Sequence, residues 1–441
     1  MQNIVGLVGL ILSVAVLIVG AYKGIGALPL TLMASLVAIL TNGVPVWEGF
    51  SKFYMGGYTG VYMGYFLLFA SSSLYAKLMD TSGSATTIGY QFIDWFGRKK
   101  VLLVSTLVVS VLTYGGVSVL VVVFAVAPIM FLLFKEADIP RHLTMAPIIT
   151  GAATYTMTAL PGTPSLTNVV PTQFLGTTLT AAPVMGILAS VIMFVAAMAY
   201  MNYAEKKARA AGEHWTFPDT VNPALYEIKD RSVLPSLWRA SLPIVVLLAI
   251  IIVGSRFVAD ATLLVVVAML VGSALTLILT YDKFKGQNLA KIMTEGLEGA
   301  IDGIGGMAGV VAFGTVVQNT AVFAEIVQWV LGLDVNAYVQ GVVSTVVISA
   351  VTGSSSGGLR IMYSSLAEHF INSGVNLEIL HRLTSISADA LDTLPHSPGL
   401  FLSLAVLGLT HKNSYIHVFI CSTLIPTVVT IVFLAVSVMM F

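Results

Sequence analysis

Apolar runs long enough to cross a bilayer recur from one end of this chain to the other, and they decide what it can fold into. A transmembrane helix needs about 20 predominantly apolar residues. Hydropathy places such runs at 4–21, 26–41, 57–79, 142–175, 181–203, 241–257, 261–280, 299–327, 378–408 and 414–440. In hydrocarbon each segment must satisfy its own backbone groups, so these runs fold as helices. Charge agrees, because Asp, Glu, Lys and Arg are only 10% of the 441 residues, against roughly 25% in an average soluble domain. So little polar surface cannot cover a soluble enzyme. The formal charge is zero, which leaves no electrostatic footprint for nucleic acid. A single cysteine, Cys421, excludes an intramolecular disulfide and speaks against a Cys-based metal site. The run at 4–21 follows no basic residue and has no convincing cleavage site, so it reads as an uncleaved span.

Two further apolar stretches, 101–134 and 336–370, are too long for one span and too short for two. Each is interrupted at its middle, by Thr113-Tyr114-Gly115-Gly116-Val117-Ser118 and by Gly353-Ser354-Ser355-Ser356-Gly357-Gly358. Glycine and serine let the chain reverse where larger side chains do not fit, so both stretches read as re-entrant hairpins. With both termini outside, 17 of the 21 Lys and Arg then fall on the cytoplasmic side, as the positive-inside rule asks. Lys52, Arg256 and Arg382 fall outside, and Arg360 within the second hairpin. The stretch 204–238, with Pro218, Pro223 and Pro235, becomes a cytoplasmic linker between an N-terminal unit, 1–203, and a C-terminal unit, 239–441.

The two units repeat each other. Leu160-Pro161-Gly162-Thr163-Pro164 matches Leu394-Pro395-His396-Ser397-Pro398 at an offset of 234, and Asp80-Thr81 matches Asn319-Thr320 at 239. Each unit holds five spans and a hairpin. Five is odd, so the second unit enters from the opposite face. The expected fold is all-α and polytopic, with two inverted-topology repeats. Two prolines three apart end a helix and free backbone groups, which the membrane tolerates only beside a cavity or inside protein. Each pentapeptide therefore marks a discontinuous helix, 142–175 or 378–408. The helix restarting after the second proline points its free N–H groups at the gap, a setting for an anionic headgroup such as a carboxylate. Ser165, Thr167 and Asn168 follow the first break.

Ionisable residues inside spans are costly and mark function. Asp389 and Asp392 are three apart and share a helix face, and His396, in the break itself, titrates near working pH. These three are the candidates for carrying coupling protons; with backbone carbonyls they suit Na⁺ equally. The bland alternative is that an aspartate caps the broken helix or bonds a hydroxyl such as Ser385 or Thr393. Arg360 can clamp a carboxylate bidentately, pair structurally with Asp389 or Asp392, or reach to the outer surface. Asp80 and Asp302 read as interfacial or structural. Gly305 and Gly309 form a GxxxG that permits close helix packing. Tyr54, Tyr58, Tyr62 and Tyr65 read as an interfacial belt. Gly-Lys and His-Glu-x-x-His are absent, which excludes a Walker A loop and a zincin site.

Thr113-Tyr-Gly-Gly-Val-Ser with its apolar run, Leu160–Pro164, Asp392-Thr-Leu-Pro-His-Ser-Pro and Leu409-Thr-His-Lys412 together resemble the gluconate permease family, and within it the hydroxybutyrate-permease-like branch. The wider group is the ion transporter superfamily. The resemblance covers nearly the whole chain. It implies hairpin tips that meet broken helices at a central site, carboxylate substrates taken up with a cation, a homodimer, and a scaffold domain beside a moving transport domain. Carried over by position, the binding residues are Gly115, Gly116, Ser118, Thr163, Ser165, Asn168, Ser355, Ser356, His396 and Ser397, with Arg360 added from its own chemistry.

The expected function is secondary active transport of a small hydroxy- or monocarboxylate, 3-hydroxybutyrate- or gluconate-like, across a bacterial-type inner membrane. No cofactor is expected; the coupling ion is a proton, with Na⁺ as the alternative. The competing classes are an intramembrane hydrolase, with a serine of 354–356 as nucleophile and His396 as base, and a passive channel.

Overall fold

The computed structural model describes residues 2–23, 25–97, 100–114, 119–163, 165–216, 231–254, 257 and 261–440. These are helical throughout, with no strand among the described residues. Ile4–Tyr22, Pro183–Ala210 and His411–Met440 are each long and apolar enough to cross a membrane, and shorter apolar helices include Ala27–Thr41, Val101–Tyr114 and Ala337–Thr352.

One order of elements occurs twice. The helices Gln2–Tyr22, Ala27–Thr41 and Met55–Thr81 lead to a short amphipathic helix, Ser84–Phe96, then to the pair Val101–Tyr114 and Val119–Glu136. A helix interrupted after Thr158 and resumed at Leu166–Leu175 follows, and Pro183–Ala210 closes the series. From Leu237 the sequence runs Leu237–Gly254, Ala261–Leu279, Leu289–Gln318, amphipathic Ala321–Leu331, and the pair Ala337–Thr352 and Ser355–Asn372. It ends with Leu377–Ala388, a break, Pro398–Val406 and the terminal helix. The run expected as one span at 299–327 is two helices, bent by 75° after Gln318. Asn319 caps the first, and the Thr320 hydroxyl accepts the Phe323 N–H to start the second. Ser82 and Gly83 make the equivalent stop after Thr81.

Side-chain caps fix where the later helices begin. Asn336, Ser354 and Asn376 each accept from a backbone N–H of the first turn, and Thr410 with Asn413 forms a reciprocal capping box. Such caps satisfy donors that a helix leaves orphaned, each worth about 1 kcal/mol.

The halves interlock. Met55–Thr81 packs along Leu289–Gln318, Ala27–Thr41 packs on Leu289–Gln318, and Ala261–Leu279 packs on Met55–Thr81. Lipid supplies no hydrophobic drive between helices, so close backbone approach must do the work. Gly57 provides it: a Cβ there would sit 2.8 Å from the Ala312 Cα. Gly309 lies against Thr31 and Leu28 in the same way. Tyr54, expected at an interface, is buried and its hydroxyl bonds Thr31 at 2.9 Å. It begins a ladder of stacked rings, Tyr54, Tyr58, Tyr62 and Phe66, along the helix. The second arm of each helix pair crosses to the other half. Val119–Glu136 packs on Pro398–Val406, and Ser355–Asn372 packs on Leu166–Leu175.

Candidate functional site

The second interrupted helix lies against the turn of the helix pair that precedes it, and the first is met by the end of Val101–Tyr114. In the second half, Gly353 ends Ala337–Thr352 in the left-handed region, φ 62°, a conformation that glycine takes at no steric cost. Its Cα faces the break, where a Cβ would lie 3.3 Å from Pro398 Cδ and 3.6 Å from the His396 ring. In the first half, Tyr114 ends the helix before 115–118, and its hydroxyl donates to the Pro161 carbonyl at 3.3 Å. Gly115, Gly116 and Ser118 lie outside the described residues, as does Pro164.

Helix Leu377–Ala388 stops at Asp389, and regular helix resumes only at Pro398. Asp389 is fully buried; Ser422 donates to its Oδ1 at 3.2 Å, while Oδ2 has no partner. Asp392, also buried, lies close to Asp389 and Ser355. Its Oδ1 is unpartnered. Neither carboxylate joins an ion pair among the described residues, so the pairing with Arg360 considered from the sequence is not formed. Arg360 lies exposed on Ser355–Asn372. His396 is buried and bonds the Ala350 carbonyl through Nε2 at 2.8 Å. A carbonyl only accepts, so Nε2 carries the hydrogen and Nδ1 faces the interior with no partner. His411 secures the other side of the break, donating from Nε2 to the Pro395 carbonyl at 3.0 Å. Ser397 and Ser355 are buried and Ser356 is half-buried. Ser385 and Thr393, weighed as partners of an aspartate, bond the Thr167 carbonyl and Thr423 instead.

The first break is held differently. Ser165 and Thr167 both donate to the Met157 carbonyl, Thr167 at 2.6 Å. Asn168 is buried, and its amide donates to the Thr163 and Leu179 carbonyls at 2.8 Å each. Its Oδ1 accepts from His381 Nε2 at 2.9 Å, and His381 Nδ1 accepts from Thr177 at 2.7 Å. Thr163 is fully buried with no partner for its hydroxyl.

Arg382, which the charge pattern puts on the outside, is 0% exposed. Its guanidinium donates to the carbonyls of Ala181, Leu179 and Thr158. It therefore serves the Thr158 carbonyl at the edge of the first break and two carbonyls of the connection that follows Leu166–Leu175. The sequence signal was a cation inside an apolar run, which marks a function by default; proximity to the run's start hid it. His381 lies in the same run and gives the same signal, whereas Ser422 carries none, because its partner Asp389 is 33 positions away.

The terminal helix joins the two breaks. It is wound as a π-helix over Phe419–Leu424, a local form often found at functional sites. Within it the Cys421 carbonyl accepts from Thr154, Ser422 meets Asp389, and Thr423 meets Thr393 at 3.2 Å.

A bundle of apolar helices, interrupted at two interior points where unpartnered polar groups gather, is the build of a multi-pass membrane transporter. The comparisons place it further. The chain belongs to the GntP permease family, whose sequence model matches residues 3–440. It is also 31% identical, over 96% of each chain, to the uncharacterized transporter YxjC of Bacillus subtilis (strain 168).

Proposed function

We propose that this permease is a secondary active symporter of small organic carboxylates, hydroxy acids of the 3-hydroxybutyrate or gluconate kind, driven by a proton gradient. The observation that carries the reading is the second break. There Asp389, Asp392 and His396 are buried together against the hairpin turn, with Asp389 Oδ2, Asp392 Oδ1 and His396 Nδ1 all unpartnered. Two adjacent carboxylates in a buried site repel unless a proton or a cation sits between them. A bound cation neutralises them; the buried hydroxyl of Thr163 and the helix start at Pro398, with its free N–H groups and partial positive charge, then suit a carboxylate. Each charge crossing 100 mV contributes about 2.3 kcal/mol.

The duplicated order of elements and the exchange of hairpin arms between halves support two inverted repeats, and alternating access by an elevator-type movement of one domain against a scaffold. The reading includes a homodimer in a bacterial-type inner membrane, with termini outside and the linker cytoplasmic. Na⁺ coupling is the second reading, favoured by the unpartnered carboxylate oxygens of Asp389 and Asp392.

The test is uptake into proteoliposomes under imposed pH or Na⁺ gradients. Accumulation that follows the pH gradient is expected; accumulation that ignores it and follows Na⁺ overturns the proton assignment. His396→Ala should abolish transport while the protein stays monodisperse, and wild-type transport by that variant would remove His396 from the mechanism.

A further inference from the structure

A second cluster of titratable side chains lies at the root of the linker, away from the breaks. Glu213 Oε2 bonds His142 Nε2 at 2.7 Å, His142 Nδ1 meets His417 Nε2 at 2.9 Å, and His417 Nδ1 meets the Tyr200 hydroxyl at 2.8 Å. The two rings lie nearly parallel, 17° apart. Four groups form one unbroken file, and every ring nitrogen is used. Exposure falls along the first three groups, from 48% for the Glu213 side chain to 25% for His142 and 6% for His417, and Tyr200 at the end is half-buried. It spans three separate pieces of chain: the turn Arg141–Thr144 that opens the first broken span, the helix Pro183–Ala210 with the residues after it, and the terminal helix. Ser414 pins the His142 carbonyl at 3.2 Å.

The inner end of the file leads toward the carboxylates. His417 and Ser422, the partner of Asp389, are five residues apart on one helix, about 7.5 Å of rise. Between them lies buried Cys421, whose carbonyl accepts from Thr154. We propose that Glu213, His142, His417 and Tyr200 are the route by which coupling protons pass between Asp389–Asp392 and water on the linker side; this rests on the proton reading above.

The proton count closes. With Glu213 ionised, Tyr200 donates to His417 Nδ1, His417 Nε2–H to His142 Nδ1, and His142 Nε2–H to Glu213. A proton arriving at the Tyr200 oxygen displaces each of these one place outward, and Glu213 releases one to water. Both imidazoles are left in the other tautomer, and their return resets the file. The file holds at most one extra proton, because protonating both rings points two N–H groups at each other across 2.9 Å.

The charges around it are mostly paired elsewhere. Glu205 bonds Arg209, which also reaches the Ala137 carbonyl, and Asp138 bonds His214. Arg141, Lys135 and Glu136 flank the turn, with Tyr203 on the neighbouring helix. His411, Lys412 and Tyr415 precede His417 on its own helix, with Tyr22 packed against that segment. Glu213 is the carboxylate that meets the imidazoles.

The experiment compares Glu213→Gln, His142→Gln and His417→Gln with the wild type in proteoliposomes, using labelled 3-hydroxybutyrate and gluconate. Accumulation driven by a pH gradient should fall at least ten-fold in each variant. Counterflow exchange at equal pH, which needs no net proton movement, should persist. Glu213→Gln decides the case if a histidine variant fails to fold, because Glu213 is at the surface. Variants that accumulate as the wild type does overturn the route alone. A wild type whose accumulation ignores the pH gradient overturns the proton reading and the route with it.

Discussion

Arg382→Met is the sharpest probe of how the first break is held. In the native protein Arg382 Nε and Nη2 donate to the Ala181 carbonyl at 3.2 and 2.9 Å, Nη2 to Leu179 at 3.3 Å, and Nη1 to Thr158 at 3.4 Å. Leu179 keeps two other donors, the Asn168 amide and the Gly162 N–H, so the variant leaves it satisfied. The carbonyls of Ala181 and Thr158 lose their guanidinium. A buried acceptor stripped of its donor costs about 1–3 kcal/mol, so two cost about 2–6 kcal/mol. Relief of the guanidinium's own desolvation offsets part of this, and the net expected loss is about 2–3 kcal/mol. Methionine matches the length and flexibility of the stem, so little of the loss comes from packing. Arg382→Lys should fall between, because one ammonium replaces a planar fork. The assay is the fraction of monodisperse protein after heating in detergent, read by size-exclusion chromatography. An Arg382→Met variant that melts at or above the wild-type temperature refutes the claim that this side chain serves the broken backbone.

Gly353→Ala should impair uptake more than stability: the left-handed region costs a Cβ about 1–2 kcal/mol, and the methyl meets Pro398 Cδ at 3.3 Å, a tight contact at the broken helix. Uptake and melting measured together check this, and unchanged uptake would separate that turn from the site. A second prediction concerns pH at the linker root. Hydrogen bonds from His214 and from the Trp215 N–H hold the Asp138 carboxyl below the ordinary carboxylate range. A depressed carboxylate contributes stability above its unfolded value and loses it as pH falls through the folded one. Trp215, packed edge-on against Phe131, should therefore keep its fluorescence from pH 7 to pH 5 and change only below about pH 4. In Asp138→Asn that acid transition should disappear; its persistence would assign it to another group.

Hydropathy was enough to read a helical membrane protein, the two interrupted stretches and the paired proline motifs, because span length, glycine reversal and proline's missing N–H are local properties of the chain. The same locality explains Asp389, Asp392 and His396: an ionisable residue in an apolar run is conspicuous by itself. Locality also misled. Arg382 falls on the outside by its place near the start of a run, and the single span at 299–327 hides a capped turn at Asn319-Thr320.

Which polar groups are used up and which stay open was decided by tertiary contacts alone. Asn168 and Ser165 follow the first break as Asp389 and Asp392 precede the second, yet the amide and the hydroxyl are spent on backbone carbonyls while both carboxylates keep an oxygen unpartnered. The difference arises because Arg382, His381, Ser422 and His411 reach the breaks from distant segments, and a hydrogen bond depends on positions in space that hydropathy along a chain does not encode.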